Sequence, residues 1–169
     1  MLYSTYTQKS NHFIFNFYIL IQFPVYFLIF YATFEERRMK FLVITATVVF
    51  LIYHFYNMIF REGLFIFSTP SYTLGSVLVI VCCLVYFFNL LSSESEINYF
   101  RIPMFWIATG LLFYFVGDTV YMSLLGYIVK NNLDTEGRFY GYIMFTLNFL
   151  LYGLTTFGFV SNHVWKKKI

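Results

Sequence analysis

Phe105-Trp-Ile-Ala-Thr-Gly-Leu-Leu-Phe-Tyr-Phe-Val-Gly-Asp-Thr-Val-Tyr-Met-Ser-Leu-Leu-Gly-Tyr-Ile-Val129 is the stretch that decides how this chain folds. A single charged side chain, Asp118, interrupts it. At a rise of about 1.5 Å per residue, a helix of this length crosses a hydrocarbon layer about 30 Å thick. Four other runs have the same character: Phe13–Thr33, Phe41–Phe60, Tyr72–Ser92 and Phe139–Val160. The loops between the five are short, namely Phe34–Lys40, Arg61–Ser71, Ser93–Met104 and Lys130–Arg138. Short loops make neighbouring helices run antiparallel and pack side by side. The expected fold is an all-α polytopic transmembrane bundle of five helices, forming one domain over residues 1–169.

Composition agrees with that reading. The chain is 60% hydrophobic and 11% charged, whereas soluble domains carry about 25% charged residues. The net charge of +3 is spread between and beyond the apolar runs, which is the pattern of topology signals and not of a nucleic-acid-binding patch. If the tail Lys166-Lys167-Lys168 is cytoplasmic, five crossings place Arg37, Arg38, Lys40 and Arg101 on the same side. Lys9, Arg61, Lys130 and Arg138 then fall on the other side. The excess of basic residues predicts an outside N-terminus and a cytoplasmic C-terminus, in a multi-pass protein of the cell inner membrane. The first run is longer than a signal-peptide core, and no small-residue cleavage site follows it. Arg61 to Pro70 is apolar but too short to cross, so it is expected to lie along the interface, with Gly63 and Pro70 as punctuation. Trp106 and Trp165 suit interfacial anchoring.

Polar groups are costly in hydrocarbon, so their angular positions on each helix mark the faces that avoid lipid. In the fourth run Gly110, Tyr114, Gly117, Asp118, Tyr121 and Leu125 fall within an arc of about 100°. Similar seams are Thr47, His54, Asn57 and Arg61 in the second run, and Gly75, Cys82, Tyr86 and Asn89 in the third. The fifth has Gly141, Asn148, Tyr152 and Thr155, and the first has Tyr18, Gln22 and Tyr26. All five seams are expected to face inward. Asp118 is the only acid well inside any run. His54 and Asn148 lie at a comparable depth, so the three are expected to share one layer. With Tyr114, Tyr121 and Asn57 they make up the candidate polar core or ligand site.

Several chemistries lack their residues. Histidine-box metal enzymes need closely spaced histidines, but His12, His54 and His163 are far apart. Bis-histidine haem needs two facing membrane histidines, and an intramembrane aspartyl protease needs paired acids. No Gly-rich phosphate loop is present. Cys82 and Cys83 are neighbours on one helix, point about 100° apart, and read as buried inert thiols. No catalytic residue, cofactor or metal site is expected.

Ile102-Pro-Met-Phe-Trp-Ile-Ala-Thr-Gly-Leu-Leu-Phe-Tyr-Phe-Val-Gly117 and the later Asn148-Phe-Leu-Leu-Tyr152 carry a resemblance. They are similar to a P-x-F-W-x-x-x-G-x-L-x-Y-x-x-G stretch and an N-x-x-L-Y element in uncharacterised small polytopic inner-membrane proteins of Bacteroidota. Those proteins resemble the membrane sensor region of seven-helix histidine kinases. The resemblance is best over the last three helices, and it implies that the first helix pair of the seven is missing here. It brings no catalytic residues. It implies a sensory or signalling-accessory protein without its own output domain, acting through a membrane histidine kinase, another membrane protein or a small ligand. The alternative is a small transporter or channel subunit in which Asp118 binds a cation or proton.

Overall fold

The computed structural model describes the backbone of residues 2–61, 63, 66–92, 98–131 and 138–166. Side chains are described within that set except at 2–12, 125–126, 129–130 and 162–166. The expectations for Trp165, Leu125 and the lysine tail lie outside the described side chains. All regular structure among the described residues is helical. Helix α1 spans Leu2–Thr33, α2 Arg37–Tyr56, α3 Thr69–Ser92, α4 Pro103–Lys130 and α5 Arg138–Lys166. A π-helical turn, Asn57–Arg61, continues α2, and a short 3-10 turn, Tyr99–Arg101, precedes α4. Five segments are long and apolar enough to span a membrane: Phe13–Thr33, Arg37–Arg61, Thr69–Ser92, Pro103–Leu124 and Arg138–Ser161. The chain is a multi-pass membrane protein on that ground.

Each helix starts earlier than hydropathy alone predicts, because hydropathy marks the lipid-facing length while local chemistry sets the ends. Pro103 opens α4 at the first helical position, where its missing N–H costs nothing and its fixed φ suits the helix. Ser68-Thr-Pro70 opens α3 in the same way, with Pro70 in the first turn. Gly63 takes a left-handed φ of 74°, which stops the helical path beyond Arg61.

The chain divides into two compact units, Met1–Cys82 and Cys83–Ile169, with the border inside α3. In the first, α1 turns one stripe inward: Asn16, Ile19, Phe23, Phe27 and Phe30 are all buried. Their spacing of three and four residues is that of one helix face. Phe23 is the centre of this unit, with its ring 5.0 Å from Phe50 of α2 and 5.6 Å from Tyr72 of α3. Its ring also covers Gly75. The expected seam of α1 was elsewhere: Tyr18 is exposed, and the Gln22 amide donates to the Tyr26 hydroxyl on a half-buried flank. The helix is apolar nearly all round, so its few polar groups did not mark the inner face.

In the second unit α4 and α5 run antiparallel at close range. Gly110 lies against the backbone of Leu151, Gly117 against the Leu147 side chain, and Gly158 against Pro103 and Trp106. Small residues let the two backbones approach, which is the usual source of helix attachment in lipid. Trp106 closes one end, donating to the carbonyl of Phe100 at 2.9 Å and meeting Phe157 edge-on at 4.7 Å. The expected inward seam of α5 is not found. Gly141 and Tyr152 are exposed, and a Cβ added at Gly141 or Gly153 meets no neighbour.

These contacts separate two kinds of glycine. A Cβ at Gly75 would lie 2.7 Å from the Phe23 ring, which Phe50 and Tyr72 hold in place. Gly75→Ala is expected to lower stability by about 1–3 kcal/mol. Gly153→Ala is expected to leave it unchanged or raise it by up to about 1 kcal/mol, the helix-propensity difference. Thermal unfolding in detergent micelles checks the contrast, and equal effects would contradict the packing described.

Candidate functional site

The polar residues of the first unit gather where α2, α3 and the segment before α3 meet α1. Asn16 is 1% exposed and its amide is used at both ends. Its Nδ2 donates to the carbonyl of Ile66 at 2.8 Å, and its Oδ1 accepts the Ser68 N–H at 3.1 Å. A side-chain amide has the donor and acceptor of a peptide group, so Asn16 supplies the partners that a non-helical stretch lacks. The described part of the expected interfacial segment, Ile66 to Ser68, is therefore fastened to α1. Phe67 adds an edge-on ring contact with Phe15.

From Ser68 the network continues inward. The Ser68 hydroxyl donates to Ser71 Oγ at 2.8 Å, and Asn57 Nδ2 donates to the same oxygen at 3.2 Å and to the carbonyl of Tyr53 at 3.1 Å. Ser68, Ser71 and Asn57 are all buried. Asn57 is also the first residue of the π-helical turn. Such turns carry one extra residue and concentrate at functional sites.

His54 lies one turn before Asn57 and is wholly buried. Its ring stacks on Phe50, with centroids 5.7 Å apart and planes inclined by 14°. The main chain of Asn16 is the polar group that reaches its ring, and no side chain among the described residues bonds either nitrogen. Asn57 Oδ1 is likewise buried without a partner among the described residues. An imidazole always presents at least one N–H, and leaving such groups unbonded costs about 1–3 kcal/mol each. The aromatic packing holds His54 despite that cost.

The second unit holds the other candidates. Asp118 is 1% exposed on α4. Its carboxylate and the Tyr121 hydroxyl both act electrostatically on the Tyr140 hydroxyl of α5. The rings of Tyr121 and Tyr140 are 5.0 Å apart. Tyr114 is half-buried and lies edge-on to Phe115. Asn148 is half-buried; its amide donates to the Met144 carbonyl at 2.7 Å, one turn back on its own helix. It lines a shallow groove on α5 with Phe145, Phe149, Tyr152, Gly153 and Thr156. The structure thus brings Asp118 together with Tyr121 and Tyr140, and His54 together with Asn57, while Asn148 bonds within α5.

Sequence reasoning missed Asn16, Ser68, Ser71 and Tyr140. Ser68-Thr-Pro carried a helix-start signal that pointed to Ser68. Asn16 had one as well, since it continues the Ile19–Phe23–Phe27–Phe30 stripe by one turn. Cys82 and Cys83 are both buried. Among the described residues no three His, Cys, Asp or Glu side chains cluster as metal ligands would.

Asn16→Leu removes the partners of two buried backbone groups at once. It is expected to cost roughly 2–5 kcal/mol and to speed hydrogen exchange at the Ser68 amide. Asn16→Asp keeps the acceptor and loses the donor, so a smaller loss is expected. Unfolding in detergent with exchange mass spectrometry checks the order, and a wild-type exchange rate in Asn16→Leu would contradict it.

Compared with protein-family models, curated proteins and solved structures, the chain has no significant match in any of the three.

Proposed function

We propose that this chain is a sensory or signalling-accessory protein of a cell inner membrane, acting through a membrane partner such as a histidine kinase or through a small ligand. The observation that carries this reading is His54, an enclosed imidazole that no side chain among the described residues bonds, one turn before a π-helical turn. A polar side chain kept in a membrane at such cost marks a functional site by default. The π-turn supplies an element with two states. Converting it to regular α-helix would turn Arg61 by about 100° relative to His54. Any group that binds His54 and Asn57 better in one register shifts that equilibrium, and a partner contacting the end of α2 reads the change. The sequence resemblance to small inner-membrane proteins that are themselves similar to sensor regions of histidine kinases points the same way.

A second reading, a transporter or channel subunit, is favoured by the burial of the Asp118 carboxyl beside Tyr121 and Tyr140. Here Asp118 would bind a cation or proton, as intramembrane acids do in pumps.

One set of variants separates the two. His54→Phe keeps the stacked ring and removes the ring nitrogens, so it is expected to unfold at or above the wild-type temperature. It is also expected to lose its effect on the partner kinase's autophosphorylation in native membranes. Unchanged output in His54→Phe would refute the sensory reading. Cation or proton flux in proteoliposomes that disappears in Asp118→Asn would put transport in its place.

The excess of basic residues supports an outside N-terminus and a cytoplasmic C-terminus. Lys9→Cys is expected to react with an impermeant maleimide on intact cells, and Lys168→Cys only after permeabilisation. The reverse pattern would invert the topology.

A further inference from the structure

A groove of about 270 Å³ runs between α1 and α2 on the lipid-facing side of the first unit. Its floor and walls include Pro24, Leu28 and Tyr31 of α1 and Ile44, Thr47 and Val48 of α2. Leu28, Ile44 and Val48 are exposed, so the groove opens toward the hydrocarbon. The helices are antiparallel here, with Tyr31 opposite Lys40 at one end and Phe23 opposite Phe50 near the other. From Lys40 to Val48 the groove descends about 12 Å at helical rise.

Its shallow end is positively charged. Lys40 holds its ammonium 5.5 Å from the centre of the Tyr31 ring, at the mouth of the groove. Arg37 and Arg38 are exposed in the turn just before it. Glu35 and Glu36 share that turn, and three bases against two acids leave it net positive. The aromatic face fixes a lysine that would otherwise sweep a wide volume. An apolar channel with a fixed cation at its headgroup end matches one kind of molecule, an amphiphile with an acyl chain below and a negative charge above.

We propose that this groove is a binding site for an anionic phospholipid, which lays one acyl chain between α1 and α2 and sets its phosphate against Lys40. Shape alone would hold any acyl chain; the lysine selects among headgroups. None of the groove's lining residues belongs to the His54–Asn57–Ser71 cluster.

The test uses the full chain in phosphatidylcholine vesicles containing trace spin-labelled phosphatidylglycerol or spin-labelled phosphatidylcholine. Electron spin resonance reads the motionally restricted fraction of each. Wild type is expected to prefer phosphatidylglycerol by about fivefold, the figure for one basic side chain near an anionic surface. Lys40→Gln is expected to bring the preference close to one while both lipids stay restricted. Val48→Trp fills the groove from an exposed position and is expected to reduce restriction of both lipids. Helical circular dichroism at the wild-type level accompanies each variant. Thr47→Phe replaces Val48→Trp if the latter fails that criterion. Equal restriction of the two lipids by wild type, or a preference that survives Lys40→Gln, overturns the proposal.

Discussion

Hydrocarbon offers no hydrogen bonds, so backbone buried in a membrane must find its partners within the protein. Helices solve this by themselves; the stretch from Ile66 to Ser68 cannot, because it is buried at Ser68 yet not helical. Asn16 solves it by acting as a displaced peptide group, donating to one carbonyl and accepting one N–H. That pair of bonds fixes where α3 begins. The start of α3 in turn sets Ser71 where Asn57 can donate to it. The register of the first unit thus passes through one side chain, from α1 to the loop, to α3, and back to the end of α2.

The two units are held by different physics. The first is filled by large rings: Phe23, Phe27, Phe30 and Phe50 are almost entirely enclosed, and Phe23 approaches Gly75 closely. The second brings backbone to backbone through Gly110 and Gly158, with aromatic closure at Trp106. Ring packing tolerates a helix that is not quite regular, and the first unit contains the π-helical turn. Backbone-to-backbone packing demands regular helices over its whole length.

His54 and Asp118 stand on opposite sides of this division, and their surroundings differ as well. The imidazole is surrounded by aromatic carbon and a network of neutral amides and hydroxyls. The carboxylate is buried on the face of α4 that also carries Tyr121, whose ring meets Tyr140. Asn148 answers the same polar cost in a third way, by bonding back to its own helix, which lets it stay half-open on α5. The lipid-facing side of the first unit adds an apolar channel with a lysine fixed at its mouth. In the first unit, the buried imidazole and the apolar channel thus share α2.

The amino-acid sequence by itself determined the five spans, because length and apolarity are properties of a segment and need no neighbour. It also identified His54, Asn57 and Asp118 as enclosed, since a polar group in a long apolar run has few places to go. Helix ends were less legible: hydropathy ends where lipid ends, whereas Pro103 and Ser68-Thr-Pro70 set the backbone. Which face of α1 and of α5 turns inward was decided only by tertiary structure. A helix apolar on every side has no preferred face until a partner supplies one, and Phe23 found Gly75 while Leu151 found Gly110. The pairing of Asn16 with Ile66 and Ser68 escaped notice for the same reason: hydrogen bonds spanning some fifty residues of chain leave no mark in local sequence, and only the folded arrangement brings their ends together.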